Sequence, residues 1–242
     1  MKRDLIWLTA VAMSAFVVLA GLGVWQLKRL AWKEGLIARI EARVDAAPVS
    51  LDEAMARWRK SGEVEYLRVR LEGSFRHYAE RYLFTVFKGQ AGWRVVTPLN
   101  TPSGRVVMVD RGFVPDTFKQ PQTRKKGLMP SDVSVTGLAR ASARQGLFTP
   151  DNTPDKNIWY WRDLQGMAAS ALSRKELERL VPFFVELEAN STPGGWPKGG
   201  VTRIALPNNH LQYALTWFSL AGALLAVFAI AVRGRLRRRP FT

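Results

Sequence analysis

The residues best suited to chemistry lie in one short stretch near the carboxyl end, Pro207 to Phe218. Asn208 or Asn209 can cap a helix there, and the partial positive charge of a helix amino terminus disfavours a charged imidazole at His210. A neutral imidazole is the form that binds iron or another metal. His210 is therefore a candidate metal ligand, and the alternative is a capping or interfacial histidine without a ligand.

Aromatic side chains follow His210 at helical spacing. Tyr213, Ala214 and Trp217 come three, four and seven residues later, so all four side chains share one stripe of a helix. The small side chain of Ala214 leaves room for a flat ring to approach this stripe. The competing interpretation is that Tyr213 and Trp217 are only aromatic belt residues at a membrane interface.

Other kinds of site have little support in the sequence. The chain has no cysteine, which excludes disulfides and thiolate metal sites, and its two histidines cannot build a conventional zinc or copper cluster. His77 is expected to be a turn or surface histidine. No nucleophile elbow, pair of carboxylates or Gly-rich phosphate loop stands out, so we expect the protein not to be an enzyme.

Two apolar segments frame the chain. Residues 5–24 (Leu5 to Val24) carry no charge, and at about 1.5 Å per residue they can cross a hydrocarbon core of about 30 Å. Residues 211–232 (Leu211 to Val232) contain Gln212 as their only strongly polar residue. Both segments are predicted to be transmembrane helices. A cleaved signal peptide is the alternative for the first, but helical sequence continues past it without a turn residue, which favours a retained anchor.

The placement of Lys and Arg predicts the orientation. Five arginines in the tail, residues 233–242, predict a cytoplasmic carboxyl end. Both termini are then cytoplasmic, and residues 25–210 form one extracytoplasmic domain at the cell inner (plasma) membrane. Lys28, Arg29 and Lys33 weigh against this orientation. The net charge of +16 is scattered and lacks groove-reading motifs, so anionic lipid or an acidic protein is the expected partner and nucleic acid is excluded.

The middle of the chain predicts short helices and several strands. Ser50 and Glu53 form a capping box for a helix that Gly62 ends, and alternation from Glu65 to Gly73 indicates a strand. Thr101 to Gly104 is a hairpin signal. Further strands are predicted at residues 81–87, 93–97, 105–110, 133–138, 158–162 and 183–188. The predicted fold is membrane α+β, with an antiparallel β-rich domain or small barrel between two transmembrane helices.

Three stretches interrupt this pattern. Pro115 to Asp132 is basic and is interpreted as a solvated loop, with lipid or partner contact as the alternative. Leu164 to Leu180 has helical spacing. Ser191 to Gly200 is rich in Gly and Pro and is expected to be flexible.

Several motifs together resemble the surfeit locus protein 1 family of cytochrome c oxidase assembly factors. The motifs occur in the family's order and cover nearly the whole chain. Asp110 and Phe113 stand where the family usually has Asn and Trp. The motifs are residues 23–29 (GVWQLKR), 66–69 (YLRV), 92–99 (GWRVVTPL), 109–115 (VDRGFVP), 148–152 (FTPDN), 158–160 (IWY) and 208–211 (NNHL).

The resemblance implies a role in maturing a haem-copper oxidase, at the step where haem A reaches the catalytic subunit. It implies His210 as the metal ligand of haem A, and the ring is expected against Tyr213 and Trp217. The remaining expected pocket residues are Trp25, Gln26 and Arg29, the last near the propionates. The implied partners are the oxidase catalytic subunit and haem A synthase. The alternative is a cofactor-free scaffold that stabilises an oxidase assembly intermediate.

Overall fold

The structure is a computed structural model that describes residues 2–129, 132–189, 192–201 and 207–237. It divides into two compact units. The first takes its described residues from Met1–Arg39 and Ile204–Thr242, and the second from Ile40–Arg203. Arg238 and Arg239 of the basic tail lie outside the described residues, as do Pro130, Ser131 and Ser191 of the interrupting stretches.

Two long helices supply the first unit: α1 (Lys2–Asp45), up to Arg39, and the carboxyl-terminal helix α5 (His210–Arg237). Within the described residues, these are the two helices long and apolar enough to cross a membrane. Helix α1 continues through Asp45, as the helical pattern beyond the apolar segment predicts. The predicted arrangement of a helix at each end of the chain is confirmed.

The two helices expose large apolar side chains that a globular protein would bury. Trp7, Val17, Leu215 and Ile230 are exposed along their length. Apolar patches of this extent mark a surface that something else covers. For helices of this length and composition a lipid bilayer is the natural solvent, because it satisfies the apolar surface while the helix satisfies its own backbone.

The second unit is a mixed β-sheet with short helices. Its strands are β1 (Val49–Ser50), β2 (Arg68–Phe75), β3 (Arg81–Phe87), β4 (Gln90–Asn100), β5 (Val106–Pro115), β6 (Val133–Arg140), β7 (Ile158–Trp159) and β8 (Phe184–Leu187). Its α-helices are α2 (Leu51–Ser61), α3 (Leu164–Ala171) and α4 (Arg174–Leu177). Short 3₁₀ turns occupy His77–Ala79, Asp116–Phe118, Pro121–Gly127, Pro154–Lys156 and Pro193–Gly195.

Five of these strands close into a small barrel. The sheet order is β1-β2-β6-β8-β5-β4-β3-β7, and a further antiparallel pairing joins β2 to β4 at Ser74↔Asn100 and Phe75↔Leu99. Strands β2, β6, β8, β5 and β4 therefore form a closed circuit, which removes their free edges. The sheet also contains parallel pairs, because the long connections before β7 and β8 let those strands return in the same direction.

Alternation along β5 separates two apolar cores. Val107 and Val109 pack in one core with α2, whereas Met108 packs in the other with Met167 of α3. This follows from the two-residue period of a strand, which sends successive side chains to opposite faces. The predicted helix cap is confirmed, since the Ser50 hydroxyl accepts the N–H of Glu53.

Two of the interrupting stretches are more ordered than the sequence suggests. Arg124, in the stretch interpreted as a solvated loop, is buried, and its guanidinium pairs with the buried carboxylate of Glu80, the residue before β3. Lys198, in the stretch expected to be flexible, makes two backbone hydrogen bonds with Phe113 at the end of β5. Neither contact has a local sequence signal, because both partners are distant along the chain.

Candidate functional site

The candidate site lies in the first unit, where His210 contacts Gln26. His210 is the first residue of α5, and its Nδ1 lies 2.7 Å from the side-chain oxygen Oε1 of Gln26 on α1. Gln26 is a polar side chain that is only 8% exposed, so the imidazole provides its buried oxygen with a partner. Two residues separated by 184 positions and predicted to share a pocket are therefore in direct contact.

This contact places a proton on Nδ1 of the imidazole. An amide oxygen only accepts hydrogen bonds, so Nδ1 of His210 must carry the proton that Gln26 accepts. A neutral ring with its proton on Nδ1 has a free lone pair on Nε2. Metal-binding histidines in general donate their other ring N–H to an oxygen in this way, which orients the ring and raises its basicity as a ligand.

Small residues let the two helices approach at this level. A Cβ added at Gly23, one turn before Gln26, would lie 2.6 Å from Cε1 of Phe218 on α5. Ala214, one turn after His210, is almost fully buried. Close helix packing in membranes commonly uses such residues, because a larger side chain holds the backbones apart.

Substitution of Gly23 by leucine should therefore separate the helices beside His210. We expect the distance between spin labels on Trp25→Cys and Leu211→Cys to lengthen by on the order of 2 Å. The reason is that the new side chain would overlap the ring of Phe218. The cysteine-free chain permits clean labelling, and electron paramagnetic resonance measures the distance. The matched control is Gly21→Leu, where nothing lies within 4 Å. Unchanged distances in both variants would contradict the packing argument.

The other predicted site residues differ in exposure and in their contacts. Trp25 and Tyr213 are exposed, and Trp217 is half-buried. The guanidinium of Arg29 lies 4.1 Å from the ring centre of Trp32, a cation–π contact that occupies it in this conformation. The structure thus brings His210 and Gln26 together and leaves two aromatic faces uncovered nearby in sequence.

The chain's own donor set suits one kind of metal cofactor. Across the described residues, no group of three or more His, Asp or Glu side chains is arranged to hold a metal ion. An iron held in a porphyrin needs only an axial ligand from the protein, and a single imidazole can supply it. Asn208 precedes His210 by two residues. Its side-chain oxygen Oδ1 is buried and lacks a hydrogen-bond partner among the described residues, so it can accept a further hydrogen bond.

Sequence reasoning missed a buried ion cluster in the second unit. The Glu80 carboxylate pairs with Arg124, and its Oε1 lies 3.5 Å from Nη1 of Arg111. All three side chains are 1% exposed. His77, expected at a turn or surface, begins a 3₁₀ turn, but its Nδ1 lies 3.2 Å from Arg111 Nη1 and its Nε2 lies 2.9 Å from the carbonyl oxygen of Met129. Arginine is rarely buried, so nothing in the sequence indicated that Arg111 and Arg124 are buried.

Glu80 and Arg111 keep their charges at neutral pH. Burial alone raises the pKa of Glu80, but hydrogen bonds from His77 and Arg124 and attraction to both arginines outweigh it, so the pKa lies below its ordinary value. Burial lowers the pKa of Arg111 to about 10 and raises that of Tyr82 to about 12. These three groups do not titrate near neutrality, which points to a structural role rather than proton transfer.

Comparison with known proteins places the chain in a family. The SURF1 family matches residues 13–222. Surfeit locus protein 1 of Homo sapiens is 36% identical over 220 residues, which cover 84% of this chain and 70% of the relative. That of Mus musculus is 35% identical over 219 residues, covering 84% and 68%. A SURF1-like protein of Monosiga brevicollis is 36% identical over 234 residues, covering 91% and 86%. Since the match extends from the first apolar helix to the second, the chain belongs to the SURF1 family.

Proposed function

We propose that the protein is an assembly factor for haem-copper cytochrome c oxidase that aids the delivery or insertion of haem A into the catalytic subunit. Family membership supports the assembly role. The observation that carries the haem step is the 2.7 Å contact between His210 and Gln26, because it prepares an imidazole lone pair between two apolar helices.

The residues of this chain would hold the cofactor by three kinds of contact. Nε2 of His210 would ligate the iron, and Gln26 would keep the ring oriented. The exposed rings of Trp25 and Tyr213 offer flat apolar surfaces to a macrocycle, and Trp217 lies further along the same stripe. Arg29 would turn from Trp32 to a propionate, exchanging a cation–π contact for a charge-assisted hydrogen bond. When bound, haem A supplies the redox-active iron that the oxidase later uses.

The proposed setting is the cell inner (plasma) membrane, with both termini in the cytoplasm and the β-rich unit outside. The partners would be the oxidase catalytic subunit and haem A synthase, with anionic lipid bound by the juxtamembrane cations. No chemical reaction is assigned to the chain, since its role would be to hold and pass on a cofactor.

Bound pigment tests the ligand role of His210. We expect His210→Ala, purified from cells that make haem A, to retain less than about a tenth of the haem per protein of the unsubstituted chain, since the iron loses its axial ligand. Gln26→Leu should retain an intermediate amount, because the ligand remains but its ring loses its orienting acceptor. Gln212→Leu, at an exposed neighbouring position, is the matched control. Absorption spectra measure the haem content of all four proteins.

Addition of imidazole gives a second readout that does not depend on oxidase activity. Free imidazole should restore the haem spectrum of His210→Gly, because it can occupy the space of the missing side chain. Equal haem content in His210→Ala and the unsubstituted protein would rule out the ligand role. Full oxidase assembly in cells carrying His210→Ala would favour the cofactor-free scaffold instead.

A further inference from the structure

Among the described residues, the outer edge of strand β3 is paired over only part of its length. On that side β7 pairs with β3 only at Tyr82↔Ile158 and Leu83↔Trp159. In the part of the chain that the structure describes, no strand or backbone hydrogen bond continues this pairing along residues 84–87. A sheet edge of this kind offers backbone N–H and C=O groups to an added strand.

A cleft opens where β7 leaves β3. Its volume is about 350 Å³, and it runs between residues 83–85 of β3 and residues 160–162 that follow β7. Phe84 and Tyr160, both among its lining residues, are 40% and 37% exposed, with ring centres 6.1 Å apart. The free edge and the cleft therefore share the residues of β3 and form one continuous surface.

The arginines that line the cleft are more exposed to solvent than the carboxylates buried beneath them. Arg94, Arg140 and Arg162 line it, and their side chains are 15%, 11% and 19% exposed. Their partners are Asp110 and Glu186, and Glu186 also lines the cleft, but the two carboxylates are each only 1% exposed. Glu65, which also pairs with Arg140, is 40% exposed but is not among the lining residues. A ligand entering the cleft meets guanidinium edges before it meets a negative charge, so an anionic group is favoured there.

Two further features favour a protein ligand. The indole Nε1 of Trp161, a lining residue, is buried and lacks an acceptor among the described residues, so it can donate to an incoming group. The loop that leaves the cleft at Ala143 carries Leu147 and Phe148, both almost completely exposed. Gln145 donates to the carbonyl oxygen of Thr149 and to Asp151, which holds these two apolar side chains at a defined turn.

We infer that this surface binds an extended acidic segment of a partner protein, which adds to β3 as a strand and places a carboxylate at the three arginines. Backbone pairing with residues 84–87 supplies a contact independent of side-chain identity, and the arginines select acidic side chains on one face of the added strand. A lipid headgroup or free phosphate could use the arginines but not the edge. The inference uses residues of the second unit alone and does not depend on haem binding.

Fluorescence anisotropy with defined peptides tests this inference on the full chain in detergent. The probe is a fluorescein-labelled nonapeptide of alternating valine and glutamate. We expect this probe to bind saturably. A peptide of alternating valine and lysine should bind at least tenfold more weakly, because its charge is reversed. Alternating proline and glutamate should be equally impaired, because proline keeps the charge but cannot pair along a strand. A carboxylate introduced into the cleft should compete with the probe for the arginines. Thr85→Glu should therefore bind the probe about tenfold less tightly.

Two control variants should leave peptide binding unchanged. Thr85→Gln should bind within twofold of the unsubstituted chain, and so should His210→Ala, which separates this surface from the haem proposal. No saturable binding, or equal binding to Thr85→Glu and Thr85→Gln, overturns the inference. Equal binding of the proline peptide would mean that the arginines take an anion rather than a strand.

Discussion

Glu80→Ala is expected to destabilise the β-rich unit by about 3–5 kcal/mol, because it leaves two buried guanidiniums without their carboxylate. Arg111 and Arg124 are each 1% exposed, so water cannot replace the lost partner. The measurement is the free energy of unfolding from urea titration of the full chain in detergent, followed by tryptophan fluorescence. The control is Glu63→Ala, which removes the exposed partner of Arg43 and should cost less than about 1 kcal/mol. Equal losses in the two variants would contradict the buried ion cluster.

The pH dependence of the same variants provides an independent check. The pKa of Glu80 is lower in the folded protein than in the unfolded chain, where it is about 4.3. Its contribution to the free energy of unfolding is therefore complete above that value and is lost as the pH falls through the folded pKa. Glu80→Gln has no such proton to bind, so the stability gap between it and the unsubstituted protein should be widest at pH 7 and should narrow at pH 3. A gap that stays constant would mean that the charge of Glu80 contributes nothing.

Local signals in the sequence were sufficient for the elements whose causes are local. The cap at Ser50, whose hydroxyl accepts the N–H of Glu53, and the stop at Gly62 bound α2 in the structure, because each acts within one helical turn. Of the predicted capping box, the structure thus shows the half that Ser50 provides. The two apolar helices follow from length and composition alone. The strand at residues 81–87 has its predicted bounds.

The rest depends on pairings between distant residues, which no local pattern encodes. The closure of β2 on β4 joins residues 74–75 to residues 99–100, and the hairpin signal at Thr101 to Gly104 does not reveal it. The helical spacing from Leu164 predicts one helix, but the chain breaks at Leu172 into α3 and α4. For the candidate site, the contact of His210 with Gln26 could be anticipated only as a shared pocket. That Nδ1 is the ring nitrogen facing the amide oxygen is seen only in the structure, because residue spacing does not specify which atoms meet.

Gly112→Ala is expected to cost at least about 3 kcal/mol, because it combines backbone strain with a clash. Gly112 has a φ of 114°, which side chains with a Cβ rarely adopt. An added Cβ would overlap the carbonyl group of Lys198 and lie 2.7 Å from the backbone nitrogen of Gly199. The next residue, Phe113, exchanges two backbone hydrogen bonds with Lys198, so relief of the clash would break the bridge that fixes this stretch to β5.

Gly89→Ala separates the two causes of this loss. Gly89 also has a positive φ, 81°, but nothing lies within 4 Å of its ideal Cβ, so its substitution should show the backbone cost alone, about 1 kcal/mol. Urea titration of both variants measures the difference, and hydrogen exchange at the amides of Phe113 and Lys198 should be faster only in Gly112→Ala. If Gly112→Ala costs no more than Gly89→Ala, the segment at Lys198 moves aside freely. It could not then be the element that fixes the end of β5.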